Sequence, residues 1–256
     1  MSWSNKAQPN NKQYRYTAPD NPTPTPAKQV HFPDSVKDIE FFDTHTHLTN
    51  ILEKLNFDLG KLVKDEFGRW GKYAGCVNVS CWTDSVPLSL QLQDSEPSVY
   101  GAYGLHPHYA SKWTPELEQL LLDAMKHPKT VAWGECGLDY YRNLSSPEKQ
   151  KEVFERQLQL ALSVNKPLVI HSRDAEEDTL SIMKRVVPPH WSIHLHCFTG
   201  GNKDFALRMC EHFPNLFVGF TGCISFKNAE PTRNVVKALP LERLLLETDG
   251  PYMCLS

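Results

Sequence analysis

The chain has 256 residues, 40% of them hydrophobic, and 27 Lys and Arg against 30 Asp and Glu give a formal net charge of −3. Length and apolar fraction suit one large domain with a sizeable core, and the slight acidity excludes a protein that coats nucleic acid by bulk attraction, which takes clustered Lys and Arg. No apolar run approaches the roughly 20 residues that span a bilayer, the opening MSWSNKAQPNNKQ lacks a signal-peptide block, and seven cysteines without a CxxC pair signal neither a disulfide framework nor a zinc ribbon. The expected setting is an intracellular, reducing compartment, nucleus or cytoplasm, with no membrane partner.

Residues 1–36 read as a disordered Pro-rich leader, because APDNPTPTPAKQ places prolines at close intervals and so blocks helix and sheet ladders alike. Residues 37–256 carry a different rhythm. Eight short apolar runs, IEFFDTH, AGCVNVS, VYGAYGLH, TVAWGECG, PLVIHSR, SIHLHCF, LFVGFTG and RLLLETD, are each expected to be a strand. Between them the sequence predicts helices over Phe57–Trp70, Thr83–Gln93, Thr114–Lys126, Pro147–Val164, Ala175–Val187, Lys203–Glu211 and Asn228–Leu239. Ser146-Pro147 and Thr114-Pro115 each supply a hydroxyl cap and a pre-set first turn, and Asp174 with Glu177 reads as an acidic capping box. Strand and helix alternating eight times point to an α/β fold, a (β/α)8 barrel of TIM type. The sequence ends in PYMCLS, just after the eighth strand. The barrel is therefore expected to lack its final C-terminal helix, leaving apolar surface at strands eight and one exposed unless another element or subunit covers it.

In such barrels the active site lies at the C-terminal strand ends. The first strand ends in DTHTH, and alternation puts Asp43, His45 and His47 on one face. The third ends at His106 and His108, the fourth at Glu135, the fifth at His171 and Arg173, the sixth at His194 and His196, the eighth at Glu247 and Asp249. Each alone reads as an ordinary polar residue; His108 and His194 are expected to be just that. Their coincidence at one end of a barrel does not. Four imidazoles (His45, His47, His171, His196) and two carboxylates (Glu135, Asp249) suit one or two divalent cations, with Glu135 the natural bridge because a carboxylate has two oxygens to an imidazole's one usable lone pair. Cys136 and Cys197 flank these ligands and, by alternation, should point into the core.

DTHTHL, GLHPH, GECGLDYYR, IHSRDA, HCFTGG and LLLETDGPY, in this order over Phe41–Tyr252, resemble the TatD family of metal-dependent deoxyribonucleases among the amidohydrolase-like barrels. With its leader, the chain resembles the C-terminal catalytic domain of a longer eukaryotic member. The resemblance implies a 3′–5′ exonuclease acting on single-stranded DNA ends, with RNA as a second substrate, and two divalent ions, Mg2+ in use with Mn2+ or Zn2+ as alternatives. It implies His45 and His47, with Glu135 and Asp249, around the first metal and Glu135, His171 and His196 around the second. His106 is implied to face the substrate phosphate, with Glu247 a nearby acid, and Arg173 fits a phosphate contact. Asp249, Glu135 and His106 are the expected catalytic residues. Trp82, Trp113, Tyr109 and Tyr140 are candidates to stack on bases, though packing is the commoner role. Two other readings compete: a barrel enzyme for small amides, esters or phosphoesters, whose relatives often use a bridging lysine that is missing here, and a catalytically silent interaction module.

Overall fold

The computed structural model describes residues 39–55 and 72–253; the predicted leader and the predicted helix Phe57–Trp70 lie outside them. Eight strands run in chain order: β1 (Glu40–Thr46), β2 (Lys72–Ser80), β3 (Val99–Tyr103), β4 (Thr130–Asp139), β5 (Leu168–Arg173), β6 (Ile193–Leu195), β7 (Leu216–Phe220) and β8 (Leu244–Leu246). Each is parallel to and hydrogen-bonded with the next. Among the described residues the helices are α1 (Leu48–Leu55), α2 (Val86–Ser95), α3 (Pro115–Ala124), α4 (Pro147–Ser163), α5 (Glu176–Val186), α6 (Lys203–His212) and α7 (Glu230–Ala238). This is the (β/α)8 architecture. The hydroxyl caps form as the sequence predicts: Thr114 accepts from Leu117 N and Ser146 from Lys149 N. The acidic box does not, because Asp174 takes a left-handed φ of 53° and α5 starts on Ala175 without a side-chain cap.

Helix α1 was not predicted, although Leu48, Ile51, Leu52 and Leu55 follow helical spacing. Its start is held from outside the segment, by the Asn78 carboxamide of β2 accepting from Leu48 N at 2.8 Å. Strands β6 and β8 are shorter than their apolar runs. The chain turns out of the ladder through left-handed residues, Cys197 at φ 44° and Asp249 at φ 50°.

The main core fills the shell between strands and helices, with Trp133, Phe154, Leu158, Ile170, Phe205 and Phe213 fully buried. A smaller cluster, Val79, Cys81, Ala102, Ala132 and Val169, packs separately. By strand alternation from His171 and Cys81 it belongs to the barrel interior, under the residues at the mouth. Closure is nearly complete. No regular ladder joins β8 to β1; instead the segment after β8 bonds across, Asp249 N to His45 O at 2.9 Å and His47 N to Gly250 O at 2.8 Å. Asp43 adds a clasp, its carboxylate accepting from Thr248 N at 3.0 Å and Thr248 Oγ1 at 2.6 Å. The strips beside this seam expose apolar side chains, Leu246 at 74% and Phe42 at 38%.

Candidate metal centre

Glu135 lies at the centre of the mouth, and a bulge aims it there. Trp133 pairs with Leu168 and Cys136 with Ile170, so three steps of β4 oppose two of β5. Without that extra residue Glu135 would share a face with Trp133, whose indole points outward to Gln157 on α4 at 3.3 Å. The bulge turns Glu135 inward and returns Cys136 to the core, its thiol against Val169 O. Gly134 and Gly137 take φ of 142° and 149°, and a Cβ on Gly137 would run into the His171 carbonyl.

The two oxygens of Glu135 face different histidines. Oε1 lies 2.7 Å from His196 Nε2, 2.9 Å from His171 Nδ1 and 3.4 Å from His106 Nε2. Oε2 lies 3.6 Å from His45 Nε2 and 3.7 Å from His47 Nε2. Asp249 Oδ1 closes the second set at 3.7 Å from His45 and 3.3 Å from His47.

The partners behind each ring select the nitrogen that faces inward. Val79 O accepts from His47 Nδ1 at 2.9 Å, leaving Nε2 with its lone pair toward the carboxylates. Asp139 Oδ2 accepts from His171 Nε2 at 3.2 Å, leaving Nδ1 inward. His106 is the opposite: its Nδ1 accepts from His108 N at 3.1 Å, so its neutral ring carries the proton on Nε2 and presents a donor rather than a lone pair.

Charge follows the same layout. Burial works to raise the Glu135 carboxyl, but His196 foremost outweighs it and holds the group well below the usual range. His196 is pushed up to about 9, burial being overcome chiefly by Glu135. His45 is lowered to about 4 by burial and then by the His196 charge. Asp249 is lowered: burial opposes, and His47, His45 and His196 prevail. Burial, then Glu135, raises the Cys81 thiol well above its ordinary value.

The donor set fits divalent cations. Both His45 nitrogens and His196 Nδ1 are buried without a hydrogen-bond partner, and the inward nitrogens of His171 and His196 stand 3.1 Å apart against one carboxylate oxygen. Ring nitrogens gathered round a carboxylate in this way, several of them without a partner of their own, suit a cation between them. His45, His47 and Asp249 offer ligand atoms within 4.8 Å of one another, as do His45, Glu135 and His196.

The TatD-related DNase family model matches residues 42–255. The chain belongs to that family. It is 43% identical to the human 3′-5′ RNA nuclease TATDN2 over 222 residues, 83% of this chain and 28% of that protein; the chain thus spans a little over a quarter of that relative's length. It is 36% identical to the Bacillus subtilis uncharacterized metal-dependent hydrolase YabD over 83% of this chain and 80% of that one. The crystal structure of YjjV, a TatD homologue from Escherichia coli, superposes with a TM-score of 0.73 at 28% identity, covering 84% of this chain and 81% of that chain.

Within this TatD-type site the structure brings together His45, His47, His106, Glu135, His171, His196 and Asp249. Arg173 does not join them: it is exposed, its guanidinium 3.8 Å over the Tyr141 ring. Glu247, implied to be a nearby acid, offers an oxygen within 4.8 Å of His45 and His194 ring nitrogens; its carboxylate is buried, 3.0 Å from His194 Nε2 and accepting from Cys197 N. Gly219 leaves room for that pair, since a Cβ there would meet both groups. His194 in β6 and His108 thus each pair with a buried acid, Glu247 and Asp139, and Cys197 stands half-buried in a turn rather than in the core. Sequence reasoning missed Asp139, which accepts from His171 and from His108 (2.9 Å) through one oxygen and from Tyr141 N and Arg142 N through the other. The GLDYY motif carried the signal: an acid four residues after Glu135 at the end of the same strand.

Proposed function

We propose that the chain hydrolyses phosphodiester bonds in single-stranded nucleic acid from the 3′ end, DNA and RNA both being candidates, with two divalent cations held at the barrel mouth. The carrying observation is the division of Glu135, one oxygen toward His171 and His196, the other toward His45, His47 and Asp249. Relatives point the same way: TATDN2 is named a 3′-5′ RNA nuclease, and a protein from Erwinia tasmaniensis, 40% identical over 64% of this chain, is named a 3′-5′ ssDNA/RNA exonuclease. His45, His47, Asp249 and Glu135 would hold one ion and Glu135, His171 and His196 the other. Magnesium, manganese or zinc bound there would lower the pKa of a water and offset charge on the phosphoryl oxygens.

The chain's own groups supply the rest. Asp249, ionised and seated between His45 and His47, takes the proton of the attacking water as its oxygen bonds to phosphorus and the P–O bond to the departing strand breaks. His106, kept neutral by burial and donating through Nε2, holds a phosphate oxygen. Trp82 and Tyr252, with ring centroids 5.0 and 5.2 Å from His47, form an aromatic rim on which a terminal base can stack. Arg173, exposed at the end of β5, would receive the next phosphate along the strand. The six cysteines among the described residues are thiols, in keeping with action in the nucleus or cytoplasm.

Cleavage of 3′-labelled and 5′-labelled single strands, DNA and RNA, across a magnesium, manganese and zinc series tests the reading. Glu135→Gln should reduce turnover at least about a hundredfold and lower bound metal, with the circular dichroism spectrum kept. Wild-type turnover in that variant, or cleavage of cyclic amides in place of nucleic acid, would overturn it.

A further inference from the structure

A thiol shares the oxygen around which the first set of donors gathers. Cys81 follows β2 by one residue and is fully buried, and its Sγ lies 3.5 Å from Glu135 Oε2, donating to it. That oxygen also faces His45 Nε2 at 3.6 Å and His47 Nε2 at 3.7 Å. His47, Cys81 and Glu135 each present a donor atom within 4.8 Å of the others. A second observation points to the same spot. His45 has no exposure at all, and its Nε2, aimed at Glu135 Oε2, has no hydrogen-bond partner.

The backbone fixes the thiol's position. Cys81 O accepts from His106 N at 2.9 Å and Ser80 O from Gly104 N at 3.1 Å, so the turn after β2 is tied to the end of β3. By strand alternation Cys81 shares the inward face of Val79, whose carbonyl orients His47. Burial alone does not place a cysteine here: Cys136, as fully buried, turns its sulfur to a backbone carbonyl across the strand.

We propose that Cys81 is a ligand of the cation held by His45, His47, Glu135 and Asp249, and that its sulfur biases this position toward a thiophilic ion such as zinc over magnesium. The inference rests on the two-cation reading above. Magnesium takes oxygen donors and keeps its waters, whereas thiolate and imidazole together select zinc and its neighbours. Coordination forms one metal–sulfur bond and breaks the S–H bond, the proton leaving to solvent. The two positions of the site are then chemically unequal, the one at His171 and His196 carrying no sulfur.

The test is a cobalt titration of the chelator-stripped protein. Visible ligand-field bands report occupancy whatever the ligands; a near-ultraviolet sulfur-to-cobalt charge-transfer band reports the thiol. The wild type should show both. Cys81→Ser should keep the visible bands, lose the ultraviolet one, and lower the ratio of zinc to magnesium affinity by at least about tenfold, the scale on which changes near a metal act. Visible bands without a sulfur band in the wild type, or a sulfur band that survives Cys81→Ser, would overturn the ligand assignment and leave the cation centre standing. No visible bands at all would remove the centre and the inference together. Should Cys81→Ser fail to fold, cadmium-113 resonance of the wild-type protein reads the same point without a variant, a sulfur ligand moving the signal downfield and an all-nitrogen-and-oxygen set leaving it upfield.

Discussion

Asp139 shows how a residue that would not touch the cations controls the site. Its carboxylate collects His171, His108 and two backbone amides, and this fixes which nitrogen of His171 faces Glu135. Burial opposes its ionisation, yet His108 and His171 keep it well below the usual carboxylate range. Asp139→Asn preserves the size and removes the charge, so His171 is free to turn or to change tautomer. Metal affinity should fall by about 10–100-fold, read by competition with a chromophoric chelator, with the fold intact by circular dichroism. Unaltered affinity would mean that His171 is held by packing alone.

At the scale of the element, α4 holds the site from behind. Two buried glutamines face the strand ends: Gln157 pairs with Leu105 N at 2.8 Å, Leu105 O at 3.0 Å and Trp133 Nε1, and Gln150 accepts from Asp139 N at 2.8 Å while donating to Asp139 O. These side chains stand beyond the end of the β3–β4 pairing, which stops at Tyr103 and Trp133, and they satisfy backbone groups that no strand reaches on that side. The contacts tie the turn carrying His106 and the strand carrying Glu135 to one helix face. Gln157→Ala leaves three buried groups unsatisfied, and urea unfolding should show a loss of about 2–4 kcal/mol. A loss under about 1 kcal/mol would show that water replaces the carboxamide.

For the whole molecule, the same residues close the barrel and build the site. Asp249 and Gly250 bond to the backbone of His45 and His47, so the seam between β8 and β1 and the proposed cation site stand or fall together. Divalent cations should therefore stabilise the entire fold: at 100 times the dissociation constant the gain is about 2.7 kcal/mol, raising Tm by roughly 5–10 °C for a domain of this size. Glu135→Gln should abolish most of that rise in a thermal melt with and without manganese; an equal rise in both proteins would place the stabilising ion elsewhere. The apolar strip along the seam is a separate matter. Leu246, 74% exposed, contributes little to folding, so Leu246→Gln should change stability by less than about 0.5 kcal/mol and reduce self-association in light scattering. A larger loss would show that the side chain is covered in solution.

The sequence by itself determined the barrel and most of the site's membership, because apolar runs and amphipathic stretches are local patterns and a barrel brings every strand end to one rim. His45, His47, His171, His196, Glu135 and Asp249 were legible for that reason. Tertiary structure alone decided where each functional group points. The β4 bulge turns Glu135 inward against simple alternation, left-handed turns at Cys197 and Asp249 cut β6 and β8 short, and Glu247 turns to His194. Asp139, Cys81 and the tautomers of His47, His106 and His171 depend on partners 25 or more residues distant or on a neighbouring turn. Periodicity reports which face of an element is buried; it carries no information about which distant carbonyl or carboxylate a ring nitrogen will meet there.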